Sequence, residues 1–404
     1  MSAVTPSHIK GIAAKQREYS AKILSRMIKI RSLSGDEEKM AKLLEREFRM
    51  LGADEVVIDG LGNVIARLGN RGPVIAFDGH LDTVDMGQRT LWNRDPLSGE
   101  VADGRIHGRG AVDQKGGLTA MLASFRILKD LGGDLPFTLF YVGTVQEEVC
   151  EGLCWRYIIN EERIVPDMVI LTEPTGCGIC RGQRGRMEME LLIEGFSSHG
   201  SMPELGKNAI YKIAPMLSAI EKLNDTLPTD PFLGKGSIAV TRVRSEAPSL
   251  NAIPDLAAIY LDRRLTAGET PSDAQSELLG LEEISSVMRN HGKLVIPAYE
   301  EPSWRGTTYP VLKSYPAWTL DEKHHLIEYA GRCHTRLFDT NPVIGKWNFS
   351  TNGVVTKGIY DIPTFGCGPG DERMAHAPNE SVAIDDIIHC AEFYAYFPWI
   401  VVGR

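Results

Sequence analysis

The chain of 404 residues has no apolar stretch approaching the roughly 20 residues that span a bilayer, so a membrane is not an expected partner. Its opening segment, MSAVTPSHIKGIAAKQREYSAKILSRMIKIRS, lacks the apolar core of a secretory signal. That segment patterns instead as an amphipathic helix, with Ile23, Leu24, Met27 and Ile28 on one face. Basic residues are in deficit: 44 Lys and Arg stand against 53 Asp and Glu, for a formal net charge of -9. Phosphate recognition needs a concentrated basic face, so nucleic acid is not an expected partner either, and the charge reads as solubility. Cysteine is sparse and odd in number, 7 in all, which fits reduced thiols in the cytoplasm better than a disulfide framework. There is no internal repeat and no low-complexity segment. What remains is an ordinary globular balance, 43% hydrophobic and 24% charged, in a chain long enough to need two domains.

Strand and helix patterns alternate through the first half. GPVIAF, FTLFYVGTV and DMVILTE read as buried strands, and GGLTAMLASFRILKDLG reads as a crossover helix with a glycine stop. Such alternation predicts an α/β domain whose mixed, mainly parallel sheet gathers ligands at the carboxyl ends of its strands. The texture changes near Arg181. RMEMELLIEG, NAIYKIAPMLSAIEKL, SIAVTRVRS, LAAIYLDRRL, a helix capped by Thr270 and Asp273, and KLVIP follow in the order β-α-β-β-α-β. That order is the signature of a ferredoxin-like α+β unit. The expected organisation is therefore a discontinuous catalytic domain, 1–181 and 305–404, interrupted by a lid domain, 182–304.

Five places carry candidate chemistry. His80 and Asp82 follow the strand GPVIAF and share a face by the period of two. His80 is either a metal ligand with a carboxylate partner or a histidine satisfied by a backbone carbonyl. Asp113 sits in a glycine-dense turn before a helix, as a cation-bridging carboxylate or as a helix cap. The Gly-rich run with Lys115 has the wrong spacing for a phosphate loop. Glu147 and Glu148 end a strand rich in aromatic and β-branched residues; Glu173 ends an apolar strand before Pro174; His376 follows a Gly/Pro loop. Taken singly, each also reads as an ordinary surface or loop residue. Together they form a mixed nitrogen and oxygen set that suits zinc or another borderline divalent ion. Adjacent carboxylates divide naturally into one that holds metal and one that moves a proton, the division of labour of a metal-dependent hydrolase.

The motifs GHLDTV, GRGAVDQKGG, EE, TEP, SSHGSMPELGKNAI, NAIPDLAAIYLDRRL and MAHAPNE, in that order over nearly the whole chain, resemble the M20 metallopeptidase family. That family contains acetylornithine deacetylase, succinyl-diaminopimelate desuccinylase and carboxypeptidase G2. The resemblance implies two divalent ions, zinc first with cobalt or manganese as alternatives. His80, Asp113 and Glu173 would hold one ion. Asp113, Glu148 and His376 would hold the other, with Asp113 bridging. It implies Glu147 as general base, Asp82 as the residue orienting His80, and His199 of the lid as stabiliser of the oxyanion, reaching a neighbouring subunit's site in a homodimer formed through the lid. It implies substrate contacts at Asn251 and Arg263. The expected activity is hydrolysis of an amide in a small carboxylate-bearing molecule, an N-acyl amino acid or short peptide, with a ureido compound as the alternative. GHLDTVDMGQRTLW and DQKGG are similar to a branch of the family linked to selenium-dependent purine or nitrogen catabolism, which implies ureido or diamino-acid substrates. A catalytically retired ligand-binding protein would be marked by a lost ligand or base, and none is missing.

Departures and leftovers complete the reading. Gln114 replaces a common Met beside the bridging Asp, and Arg263 is doubled by Arg264. Ser350, Thr351 and Asn352 resemble a substrate-contact loop. His324, His325 and His334 are expected to face solvent. Arg181, Arg184 and Arg186 are expected to pack at a hinge, and Cys177 and Cys180 to be structural.

Overall fold

GPVIAF closes as the strand Val74–His80, whose residues are buried almost throughout, as expected for a strand covered on both faces. In the computed structural model, which describes residues 4–403, this strand lies between Thr138–Thr144 and Met168–Leu171. Both pairings are parallel, and Thr364–Gly366 extends the parallel run beyond Met168–Leu171. The flanks are antiparallel except for Ile344–Trp347, which pairs in parallel with Ile179–Gln183. Glu55–Ile58 and Val64–Leu68 continue one side, and Ile179–Gln183 and Trp318–Thr319 continue the other. The sheet is thus mixed, with its parallel part at the centre. That placement is decisive for the site, because parallel neighbours end on the same edge. His80 pairs with Thr144 and Asp78 with Leu171, so the residues after these strands emerge side by side.

The helix Lys115–Leu131 runs to Gly132, which closes it at a φ of 67° that favours glycine. It packs against Val74–His80 and against the final helix, Ile384–Val401. Their apolar faces and the sheet form one continuous core.

A second hydrophobic core uses only residues of the inserted segment, among them Met187, Leu191, Ile213, Ile259, Leu261 and Ile284. Its sheet places the strands in the order Ser237–Glu246, Leu256–Leu265, Gly185–Glu194, Gly292–Val295, all antiparallel. The helices Ala209–Thr226, Pro271–Gly280 and Glu282–His291 pack on one face. This is the ferredoxin-like arrangement. Thr270 and Asp273 form the reciprocal cap read from the sequence. The sheet also takes in Ser314–Tyr315, from beyond Trp304, which pairs with Gly185–Glu194 at Met187 and Arg186. Trp304 itself packs against the larger core and donates its indole N–H to Gly62.

Two expectations change. His334 does not face solvent. On the helix His325–Phe338 it falls on the stripe of Leu326, Ile327, Ala330, Cys333 and Leu337, and its Nδ1 lies 2.9 Å from the Thr340 carbonyl. Thr351 and Asn352 do not line an open loop. Both are buried, and the Asn352 amide donates to Asp78 at 2.9 Å and accepts from the Gly152 N–H at 2.7 Å. All seven cysteines, Cys177 and Cys180 included, are unpaired and buried.

Candidate metal centre and active site

His80 ends its strand and points its ring into the space between the neighbouring strand ends. Its Nδ1 lies 2.7 Å from the main-chain carbonyl of Asp82, and its Nε2 lies 2.8 Å from Asp113 Oδ1 and 3.8 Å from Glu173 Oε1. His376 approaches from the opposite side. Its Nε2 is 3.2 Å from Asp113 Oδ2 and 2.9 Å from Glu148 Oε2. The two oxygens of Asp113 therefore face two different imidazoles. The ligating atoms of His80, Asp113 and Glu148 lie within 4.8 Å of one another, and so do those of His80, Glu147 and Glu173. The structure thus gathers all six residues expected at the centre.

Local structure explains each position. The turn around Asp113 is held by Glu380, a fully buried carboxylate that accepts from the N–H groups of Gly110, Val112 and Asp113 and from Arg109. Lys115 is also buried. Its ammonium reaches the carbonyls of Met27 and Ile30, at the C-terminal end of the helix Arg17–Ile28, where a cation is favoured. Gln114 is buried rather than exposed to a pocket, and it accepts from the Thr172 hydroxyl at 2.8 Å, beside Glu173. Asp82 caps the next turn. Its carboxylate accepts from the N–H groups of Glu147 and Glu148 at 3.3 and 3.1 Å and from Ser34 at 2.7 Å. Glu37 accepts from the Gln146 N–H.

Glu380, Ser34 and Glu37 were not singled out in the sequence. Glu380 lies in the same motif as His376, four residues on, but no periodicity marks a carboxylate whose task is to receive backbone N–H groups. Ser34 and Glu37 are distant in sequence from everything they support.

The electrostatics favour cations. Burial pushes Glu147 well above the usual carboxylate range, and the charges of Glu173, Glu151 and Glu148 add to that against the pull of His80. Burial likewise raises Glu148 and Glu173. Burial also opposes ionisation of Asp113, but hydrogen bonds with His376 and His80 outweigh it and hold the group well below its usual range. Bonds to Asp113 and Glu148 lift His376 to about 10. His80 rises despite its burial, through Asp113, Asp82 and Glu173. Negative charge concentrated in a buried space and drawing protons onto both imidazoles is the environment a divalent ion satisfies. The donor set of imidazoles and carboxylates fits that ion.

The remaining predicted residues lie elsewhere. His199 is exposed on the inserted unit, its Nδ1 2.7 Å from Ser201 Oγ, and makes no hydrogen bond with the metal-site cluster. Asn251 is its neighbour through the Gly200 N–H, at 2.6 Å, and is also exposed. Arg263 is not placed to grip a substrate. It is fully buried, and its guanidinium is occupied by Glu269, Glu277 and the Arg264 carbonyl. The strand alternation that buries Arg263 turns Arg264 to the other face, where it pairs with Asp262 and stays partly exposed.

Residues 76–399 match the family model described as Peptidase family M20/M25/M40, and the chain belongs to that family. It is a metal-dependent hydrolase. An uncharacterized protein of Escherichia coli (strain K12), YgeY, is 41% identical over 392 residues, 96% of each chain. A succinyl-diaminopimelate desuccinylase of Hahella chejuensis is 25% identical over 93% of this chain and 96% of its own. The M20 family metallo-carboxypeptidase Sso-CP2 of Sulfolobus solfataricus superposes with a TM-score of 0.75 at 18% identity, over 95% of this chain and 99% of its own, and shares the fold. Among the described residues no helix is long and apolar enough to cross a membrane.

Proposed function

We propose that this protein is a di-zinc hydrolase that cleaves an amide bond in a small carboxylate-bearing substrate, an N-acyl amino acid or short peptide. The observation that carries the reading is Asp113, whose two oxygens face separate imidazoles. His80, Asp113 and Glu173 would hold one ion, and Asp113, Glu148 and His376 the other. Two divalent ions bound there would supply Lewis acidity and concentrated positive charge. Glu147 supplies the proton chemistry. Its N–H is held by Asp82, and its Oε1 is buried without a hydrogen-bond partner, so that oxygen is free to accept a proton. Burial makes it a stronger base than an exposed carboxylate. It takes a proton from the attacking water and returns it to the departing nitrogen. The relation to a desuccinylase supports an acyl-amide substrate.

His199 completes this reading from a second copy of the chain. Its exposure supports that arrangement. Light scattering that finds only monomers would remove the second copy from the proposal.

The deciding experiment is a panel of N-acyl amino acids, dipeptides and ureido acids offered to zinc-loaded protein and to Glu147→Gln. The wild type should release amine from one class. The variant should lose that activity, on the order of 10²-fold or more, with its metal retained. Full activity in Glu147→Gln would remove the base from this reading.

A further inference from the structure

The turn Gln146–Gly152, which presents Glu147 and Glu148, is held in two different ways. Its backbone is held by the catalytic unit: Glu37 receives the Gln146 N–H, Asp82 those of Glu147 and Glu148, and Asn352 that of Gly152. Its flanking side chains are held by the junction with the inserted unit. Gln146 donates to the Tyr299 hydroxyl at 2.9 Å, Cys150 Sγ lies 3.2 Å from the Tyr315 hydroxyl, and Glu151 Oε1 receives Arg186 Nη1 at 2.8 Å. Gln146 adopts a φ of 58°, a left-handed conformation that a non-glycine residue keeps only where its surroundings hold it.

Arg186 and Tyr315 are direct partners in the inserted sheet, across the pairing of Gly185–Glu194 with Ser314–Tyr315. Arg186 is itself clasped from that sheet. It pairs with Glu188, which Lys313 and Tyr260 also engage, and its Nε lies 3.6 Å from Asp262. Glu151 is its contact on the catalytic side, and the other Glu151 oxygen is buried without a partner. Arg186 and Tyr315 stand opposite each other on adjoining strands, and each touches a residue within four positions of Glu147.

Resting on the reading of Glu147 as the base, we propose that Arg186 is a positioning residue that acts through Glu151, with Tyr315 acting through Cys150, so that the orientation of the inserted unit and the aim of Glu147 are set together. A guanidinium suits this task. It grips carboxylates on both sides of the junction with a fixed fork, which an ammonium cannot reproduce.

The test uses full-length metal-loaded protein with Glu151→Gln, Arg186→Ala, Arg186→Lys, the Glu151→Gln/Arg186→Ala double variant and Tyr315→Phe. Two readouts are taken: amide hydrogen exchange of peptides covering 145–152, and the split between kcat and KM on a hydrolysed substrate. Glu151→Gln and Tyr315→Phe change almost no volume and keep the test open should Arg186→Ala fail to fold. Exchange of 145–152 should rise about tenfold in Glu151→Gln, while peptides from Leu256–Leu265 and Thr138–Thr144 keep wild-type rates. Metal content should stay at the wild-type level. kcat should fall by about 10-fold or more with KM nearly unchanged, in the range seen when an orienting partner is lost. Arg186→Lys should recover part of that loss, and the double variant should be no worse than Arg186→Ala. Wild-type exchange of 145–152 in the folded variants, or an unchanged kcat, overturns the proposal. Should the wild type hydrolyse nothing in the panel, the assignment of the base fails, and the exchange measurement still decides whether Arg186 holds the turn.

Discussion

His80 is oriented by the main-chain carbonyl of Asp82, not by its carboxylate. Nδ1 lies 2.7 Å from the carbonyl oxygen and 3.5 Å from Oδ1. A carbonyl only accepts, so Nδ1 carries a proton, and Nε2 is the nitrogen that faces Asp113 and Glu173 and would hold an ion. The Asp82 carboxylate serves the turn of Glu147 and Glu148 instead.

Asp82→Asn therefore separates two effects that the simple expectation merges. The His80 tautomer survives, so metal content measured by plasma mass spectrometry should match the wild type. One acceptor for the N–H groups of Glu147 and Glu148 is replaced by a donor, so kcat should fall about 10- to 100-fold. Metal loss as severe as in His80→Ala would show that the carboxylate does orient the histidine.

The two halves of the centre differ in access. The His80 side chain is 1% exposed and that of His376 54% exposed. If the centre holds two ions as proposed, the one on the His376 side should leave first under a chelator, and His376→Ala should retain about one ion per chain after dialysis. Asp113→Ala should retain none, because both sites lose a ligand at once. Two ions retained by His376→Ala would break the assignment.

A pH effect on stability is expected from Glu392 on the final helix. Burial raises its pKa to about 7, against the pull of Lys10. The folded state then holds a proton that the unfolded chain releases near its ordinary value of about 4.5. Stability from this group is full at low pH and is lost as pH rises through about 7. Glu392→Gln should match the wild type near pH 4 and gain on it progressively up to neutrality, in urea unfolding followed across that range. A difference that shrinks with rising pH would reverse the sign and refute the placement.

The residues gathered at the candidate centre were legible because each follows a recognisable strand or lies in or after a distinctive turn. His80, Glu147, Glu148 and Glu173 stand just beyond apolar runs, and parallel strands must end together. Asp113 lies in a glycine-dense turn and His376 follows a Gly/Pro loop, in motifs whose order is itself informative. Arg263 was misread because LDRRL offers two guanidinium groups, and only the strand register tells which one faces the helices. Asn352 and His334 were misread for a related reason. A polar residue looks exposed in a sequence until a partner such as Asp78 or the Thr340 carbonyl is brought to it.

The sequence by itself determined the fold class, the inserted unit and the chemical types at the centre. Hydrophobic periodicity and motif order are local properties, and they survive without coordinates. Only the tertiary structure decided which atom of Asp82 meets His80, that Glu380 holds the Asp113 turn, and that Arg186 reaches Glu151 across the junction. Those contacts join residues far apart in the chain, and hydrogen bonds with tolerances of a few tenths of an ångström leave no period in a sequence.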